Sequence, residues 1–187
     1  MENIIIKKVL IIGSGVMGSR IACYLSDVGL SVFLLDIIGT DKNRNSIVNS
    51  NLSKTIKSRP EPLLDKSNVN NITTGNIIDD INKIKDCDWI IEAVSEKEKI
   101  KKEVLDIIEK NKKKESIVST NTSGLSINNL VKGRSKEFKE NFLGIHFFNP
   151  PRQLRLLEII SNKKTKKGII DFFTDYCSKI LGKEVVL

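Results

Sequence analysis

Three glycines near the start of the chain stand at the spacing that binds a dinucleotide phosphate. Gly13, Gly15 and Gly18 follow an apolar run at residues 9–12 and open a segment with helical periodicity. In that setting the first glycine permits a tight turn, the second lets backbone approach a pyrophosphate, and the third lets the helix pack closely on the strand. The free N–H groups of the helix start attract the pyrophosphate. Further contacts with the dinucleotide are expected from the residues between and beside these glycines: Ser14, Val16 and Met17.

A carboxylate ends the second apolar run. Residues 31–35 lead into Asp36, eighteen residues past Gly18. An acidic side chain at this place accepts hydrogen bonds from the adenosine ribose and repels the extra phosphate of NADP. The sequence therefore predicts NAD as the cofactor. The alternative is that the glycines form a tight turn in another kind of α/β domain.

A second set of chemically capable residues lies in the second half of the chain. Residues 119–124 read S-T-N-T-S-G, residues 144–150 read G-I-H-F-F-N-P, and Glu158 follows His146 by twelve residues. His146 is the only histidine. A histidine exchanges a proton near neutral pH, as the oxidation of an alcohol requires. Taken alone, however, one histidine is more often structural. Together with the glycine turn, these motifs resemble the 3-hydroxyacyl-CoA dehydrogenase family along essentially the whole chain.

The resemblance implies an activity and a subgroup. The activity is NAD-dependent interconversion of (S)-3-hydroxyacyl-CoA and 3-oxoacyl-CoA in fatty-acid β-oxidation. Residues 59–63, 72–76 and 133–135 look most similar to the long bacterial forms, which carry an additional enoyl-CoA hydratase-like region. An acyl-CoA substrate is therefore expected.

The resemblance also assigns catalytic roles. It makes His146 the acid–base group, Glu158 the partner of the other imidazole nitrogen, and Ser123 a ligand of the substrate oxygen and of the cofactor. From the residue types alone, Ser123 also fits a helix N-cap, and Glu158 also fits a solvated strand residue.

Further binding residues follow from the same resemblance. Glu96, Lys101 and Asn149 map onto positions that contact the cofactor, and Lys54 and Lys57 lie where a helix contacts coenzyme A. Without the match, Glu96 and Lys101 would be interpreted as a solvated helix face.

The elements that must position these residues alternate along the chain. Strands are predicted at residues 9–12, 31–36, 71–74, 89–94, 116–120, 142–147, 156–160 and 184–187. Helices are predicted at residues 16–28, 43–57, 97–111 and 167–181, the last with Ile170, Phe173 and Ile180 on its inner face. This alternation predicts an α/β fold with a doubly wound, mainly parallel, Rossmann-type sheet.

Composition excludes several other functions. The net charge is +8, but the lysines are scattered among acidic residues and there is no basic stripe, so no nucleic-acid partner is expected. An excess of lysine still helps to attract a polyanionic ligand. Cys23, Cys87 and Cys177 are too far apart for a disulfide framework or a metal site, and buried thiols are expected.

The N-terminus and hydropathy suggest a location. Only Glu2 and Asn3 precede the first apolar segment, which ends at a turn, so no signal peptide is expected. No stretch of apolar residues is long enough to span a membrane. The chain is therefore expected to be cytoplasmic and to have no membrane partner.

The family pattern extends beyond the last residue. Its members continue with a D-T-P-G-F-like segment and a helical domain, whereas residues 1–187 match the NAD-binding domain. The helical domain is expected from a separate partner or further sequence, and a homo-oligomer is also considered. Two other functions stay open: a different hydroxyacid dehydrogenase that uses a lysine base, and a non-catalytic NAD-binding module or crystallin-like structural relative.

Overall fold

The computed structural model describes residues 4–187, so Glu2 and Asn3, which bear on the expectation of no signal peptide, lie outside the described residues. Within residues 4–187, eight strands form one sheet. The strands are β1 (Lys8–Ile12), β2 (Ser31–Asp36), β3 (Ile72–Asn76), β4 (Trp89–Glu92), β5 (Ile117–Thr120), β6 (Phe142–Phe147), β7 (Leu156–Ser161) and β8 (Glu184–Val186). The α-helices are α1 (Val16–Asp27), α2 (Ser46–Ile56), α3 (Glu98–Asn111), α4 (Ile127–Leu130), α5 (Lys136–Glu140) and α6 (Lys167–Lys179), with 3₁₀ helices at Lys66–Asn71 and Ile81–Asp86.

The strand order confirms the predicted fold. The sheet runs β3-β2-β1-β4-β5-β6-β7-β8, and β1 to β6 are parallel. The first six strands thus follow the doubly wound Rossmann order, with the switch point between β1 and β4. β7 is antiparallel to β6, because residues 148–155 are too few for a crossover helix.

Apolar residues on both faces of the sheet hold the helices in place. On one face, α1 and α6 cover a core that includes Val9, Leu34 and Trp89. On the other face, α3, α4 and α5 cover a core around Leu10 and Ile90. Because both faces are covered, consecutive residues of the central strands, such as Val9 to Ile12, are apolar and buried on both sides of the sheet.

Two predictions about the helices are wrong in detail. α2 begins at Ser46, three residues after the predicted start, because Gly39 N donates to Arg44 O and Thr40 pairs with Asn43 in a turn. In α6 the buried face consists of Ile169, Phe173 and Cys177, whereas Ile180 is 56% exposed. Phe173 therefore lies on the inner face as predicted and Ile170 is partly buried beside it, but the prediction for Ile180 is wrong. The short helices α4 and α5 were not predicted.

The cysteines lie in the core as expected. Cys23, Cys87 and Cys177 are buried and free. Burial raises the pKa of each thiol to about 12. The helices of residues 4–187 are all too short or too polar to cross a membrane.

Candidate functional site

A cleft of about 760 Å³ opens at the carboxyl edge of the sheet, beside the switch point between β1 and β4. This is the edge at which open α/β sheets bind their ligands. We call it the main cleft. Residues from the glycine turn, from the ends of β2 and β4, and from the segments after β5 and β6 line it.

Each glycine of the turn has a different surrounding. Gly13 has φ +104°, and a Cβ there would stand 2.6 Å from Ala93 O. A Cβ on Gly18 would stand 1.8 Å from Gly13 O, so Gly18 permits the close contact of α1 with the turn. A Cβ on Gly15 would meet nothing within 4 Å, because Gly15 faces the open cleft. Gly13 and Gly18 therefore build the turn, while Gly15 leaves space for a ligand.

The start of α1 also faces the main cleft. Gly15 occupies the N-cap position, and within the described residues no side chain caps this end of the helix. The first-turn N–H groups of a helix have no acceptors within the helix, and here no side chain replaces them. Val16 and Met17 line the cleft beside these groups. An uncapped helix start against open space fits a pyrophosphate group.

Asp36 lines the cleft at the end of β2, and its carboxylate is held by the glycine turn. Asp36 Oδ2 accepts hydrogen bonds from Ser14 N at 2.6 Å and from Ser14 Oγ at 2.5 Å. Asp36 Oδ1 accepts one from Ile37 N at 2.7 Å. Ser14 itself is fully buried and does not line the cleft. The expectation of a contact between Ser14 and a ligand is therefore corrected: Ser14 contacts Asp36 instead.

The wall beyond Asp36 is apolar. Its side chains come from the loop after β2, from the segments after β3 and β4, and from the first half of α3: Ile37, Ile77, Val94, Ile100 and Val104. Such a surface fits the flat apolar face of an adenine ring. These residues were not predicted, because they lie far apart in the chain and no shared spacing connects them.

Lys101 lies behind the wall of the cleft. Its side chain is 0% exposed, and Nζ stands 2.9 Å from Glu92 Oε1 and 3.2 Å from Glu96 Oε2. Glu92 is also fully buried and accepts a hydrogen bond from Val94 N. The interpretation of Lys101 as a solvated residue is therefore wrong. Direct contact with a cleft ligand is corrected as well, because the fully buried Lys101 reaches the cleft through Glu96 and through Val94, whose carbonyl accepts a hydrogen bond from Nζ at 3.3 Å.

Glu96 lines the cleft and joins two of its walls. Glu96 Oε1 accepts hydrogen bonds from Thr122 Oγ1, from Ser123 N at 3.0 Å and from Gly124 N at 3.3 Å. Burial raises the pKa of this carboxyl, but the Thr122 hydroxyl and the Lys101 ammonium lower it by more, so the pKa of Glu96 lies below its usual value. Glu96 therefore fixes the exposed segment that carries Ser123, and the N-cap of the next helix is Ser126 rather than Ser123.

His146 and Glu158 meet at the far end of the main cleft. They are directly opposite in the antiparallel pair of β6 and β7, and His146 Nδ1 stands 2.9 Å from Glu158 Oε2. The His146 side chain is 14% exposed and that of Glu158 is 40% exposed. The His146 ring also packs on Phe148, with ring centroids 4.5 Å apart. Glu158 thus orients the imidazole and is not merely a solvated strand residue.

Two asparagines stand near His146 in the same cleft. Asn149 lines the cleft just after β6, as the resemblance implied. Asn121, which was not predicted, lines it too, and its Oδ1 accepts a hydrogen bond from Phe147 N at 2.9 Å. Its place directly after β5 was the available signal, because strand ends converge at this edge. The cleft therefore brings together Asp36, Glu96, Ser123, His146 and Asn149.

Lys54 and Lys57 are not brought into this cleft. Lys54 lies on α2 and Lys57 directly after it, both are exposed, and neither lines the main cleft. Lys57 lines a separate depression of about 300 Å³ between α2 and β3. Within residues 4–187, no group of three or more His, Cys, Asp or Glu side chains is placed to hold a metal ion.

Comparison with known proteins supplies a family. The family profile described as "3-hydroxyacyl-CoA dehydrogenase, NAD binding domain" matches residues 8–187. A probable 3-hydroxyacyl-CoA dehydrogenase of Bacillus subtilis is 44% identical over 97% of this chain and 25% of its own length. One of Deinococcus radiodurans is 42% identical over 97% of this chain and 53% of its own length.

A solved structure agrees with these relatives. The (S)-3-hydroxybutyryl-CoA dehydrogenase of Ralstonia eutropha superposes with a TM-score of 0.76 at 30% identity, covering 97% of this chain and 63% of that one. The chain thus spans between a quarter and about two-thirds of the length of these similar proteins.

Proposed function

The chain belongs to the family of 3-hydroxyacyl-CoA dehydrogenase NAD-binding domains, and from this premise we propose that it oxidises (S)-3-hydroxyacyl-CoA to 3-oxoacyl-CoA with the dinucleotide bound in the main cleft. Residues 1–187 form the NAD-binding domain of this enzyme. Fatty-acid β-oxidation is the pathway proposed for it.

The contact between His146 and Glu158, in the same cleft as the glycine turn, carries the proposal. His146 Nδ1 is hydrogen-bonded to Glu158, so Nε2 of the imidazole is the nitrogen that accepts the proton of the substrate hydroxyl. The Glu158 carboxylate stabilises the imidazolium that results. Bound NAD would supply the hydride acceptor, so that the hydroxyl-bearing carbon loses a hydride, its oxygen loses a proton to His146, and the alcohol becomes a ketone. In the reverse direction His146 returns the proton.

Other residues of the cleft orient the reactants. Ser123 donates a hydrogen bond to the substrate oxygen and contacts the cofactor, and Glu96 and Asn149 contact the nicotinamide side. Lys101 acts through Glu96, which it pairs with at 3.2 Å. Asp36 favours NAD over NADP. Lys54 and Lys57 are proposed to contact the phosphates of coenzyme A from outside the main cleft.

A further region covers the substrate. On the sheet face that carries Glu158, Leu156 is 41% exposed, Ile160 36% and Val186 51%. Apolar side chains at this exposure fit a covering partner, and we propose the helical region of the family in that role. Where that region is missing, a second copy of the chain is the expected occupant.

The test compares two proteins. The first is the 187-residue chain, and the second is the same chain joined to the remaining part of the Deinococcus radiodurans relative. Both should bind NADH, because the cofactor site lies inside one domain. Reduction of acetoacetyl-CoA should be at least about 10²-fold slower in the first, since positioning and water exclusion contribute several kcal/mol to the barrier.

Each outcome decides between functions. Absence of NADH binding by the 187-residue chain contradicts the cofactor site. NADH binding without turnover in either protein favours a non-catalytic NAD-binding module. Equal kcat/KM in the two proteins contradicts the covering region and makes residues 1–187 a complete enzyme.

A further inference from the structure

A line of hydrogen bonds leads from α2 to the lip of the main cleft. Asn51 Nδ2, on α2, donates to Ser14 Oγ at 3.0 Å, and Ser14 Oγ donates to Asp36 Oδ2 at 2.5 Å. Ser14 and Asn51 do not line the main cleft, whereas Asp36 does. The two residues therefore act on the cleft only through the Asp36 carboxylate.

The chemistry of the three groups fixes the direction of these bonds. An ionised carboxylate only accepts hydrogen bonds, so the single proton of the Ser14 hydroxyl points to Asp36. The lone pairs of Ser14 Oγ are then free to accept the amide N–H of Asn51. A donor to the hydroxyl oxygen polarises its O–H bond and strengthens the next hydrogen bond in the line.

Ser14 is itself held in place. Its side chain is fully buried, its N–H donates to Asp36, and its carbonyl accepts a hydrogen bond from Ser19 Oγ at 2.6 Å. The Asp36 carboxylate thus receives two donors from a buried residue that is itself hydrogen-bonded, and a third from Ile37 N. Rotation of this carboxylate out of the cleft breaks at least the bond from the Ser14 hydroxyl.

We propose that Ser14 and Asn51 are specificity-determining positioning residues, which set the preference for NAD over NADP by fixing the Asp36 carboxylate. The inference rests on the proposed role of Asp36 in the cofactor site. A fixed carboxylate keeps its acceptor atoms toward a ribose with two hydroxyls. It also cannot turn away from a 2′-phosphate, so the like-charge repulsion persists. Without the Ser14 hydroxyl, the carboxylate can turn, which weakens NADH binding and relieves the repulsion of NADPH.

The experiment measures the dissociation constants of NADH and NADPH for five forms of the 187-residue chain. These are the unchanged chain, Ser14→Ala, Asn51→Ala, Asp36→Ala and Asn49→Ala. Asn49 is the matched control, because it lies on the same helix and bonds to Thr74 Oγ1 at 2.7 Å, away from the Ser14 line. The ratio of the two constants is the decisive quantity, since general loosening of the glycine turn weakens both cofactors equally.

We expect the unchanged chain to bind NADH at least about tenfold more tightly than NADPH. Ser14→Ala should narrow this ratio by at least about 5-fold and Asn51→Ala by at least about 2-fold, because a hydrogen bond to a charged group is stronger than one to a neutral group. Asn49→Ala should leave the ratio unchanged.

Two results overturn the inference in different ways. If Asp36→Ala leaves the ratio unchanged, Asp36 does not discriminate the cofactors and the proposed cofactor site fails with the inference. If Asp36→Ala narrows the ratio but Ser14→Ala and Asn51→Ala do not, Asp36 acts without its line of hydrogen bonds. If the Ser14→Ala variant does not fold, the ratio measured for Asn51→Ala still tests the role of the line of hydrogen bonds, because Asn51 is only partly buried.

Discussion

The two ends of the main cleft are built in opposite ways. At the Asp36 end, the polar groups bond to other groups of the chain: Asp36 to Ser14 and Ile37, and Lys101 to Glu92 and Glu96. At the His146 end, the imidazole bonds to one partner, Glu158, whose side chain is 40% exposed. The first end is made by parallel strands and the glycine turn, and the second by an antiparallel pair.

Because of this difference, we expect one end of the cleft to contribute mainly to stability and the other mainly to the reaction. Buried polar groups with all their hydrogen bonds formed hold one conformation. When one partner is removed, the other stays buried without a hydrogen bond, which lowers the free energy of unfolding. Groups that are partly exposed with one partner keep an atom available for a reactant. Changes at the Asp36 end should therefore lower stability, and changes at the His146 end should lower turnover.

The largest expected effect is on stability at the cofactor end. Lys101→Met leaves the Glu92 carboxylate buried without its cation, which should lower the free energy of unfolding by about 3–5 kcal/mol. Urea denaturation followed by circular dichroism measures the change. Lys102→Met is the matched control, because the neighbouring Lys102 makes a 2.6 Å pair with Glu98 and both side chains are well exposed. Its effect should stay within about 0.5 kcal/mol. If both variants lost the same free energy of unfolding, the buried pair of Lys101 and Glu92 would contribute no more to stability than the exposed pair.

The next effect is on turnover at the reaction end. In the chain joined to the remaining part of the relative, His146→Gln should lower kcat for acetoacetyl-CoA reduction by roughly 10² or more, because the proton donor is lost. The dissociation constant of NADH and the unfolding midpoint should hardly change. Glu158→Gln should lower kcat as well, since the imidazolium loses its charge partner. Near-normal turnover of His146→Gln means that another residue is the acid–base group.

The residues that form the Asp36 end could be predicted from the sequence, whereas the packing of side chains around them could not. Gly13, Gly15, Gly18 and Asp36 obey local rules of turn and strand end, so their places follow from spacing. From the residue types alone Lys101 fits a solvated helix face, and its burial was not predictable because its partner Glu92 belongs to another element.

At the other end, strand prediction alone was insufficient. β6 and β7 were predicted, but the register that sets His146 opposite Glu158 depends on pairing between strands, which no local pattern specifies. The family resemblance supplied that pair. Asn121 was missed, although it follows a predicted strand directly. The prediction for Ile180 was wrong because α6 ends at Lys179, so that helical periodicity no longer sets the direction of this side chain.

The central claim is that one dinucleotide spans both ends of the main cleft. Because His146 is the only histidine, its ring proton gives a single resolved NMR signal in protein without a histidine tag. Titration with NAD⁺ should shift this signal and the backbone amide signal of Gly15 together. Titration with ADP, which lacks the nicotinamide half, should shift the Gly15 signal and leave His146 in place. A His146 signal that does not respond to saturating NAD⁺, or that responds equally to ADP, would contradict the account.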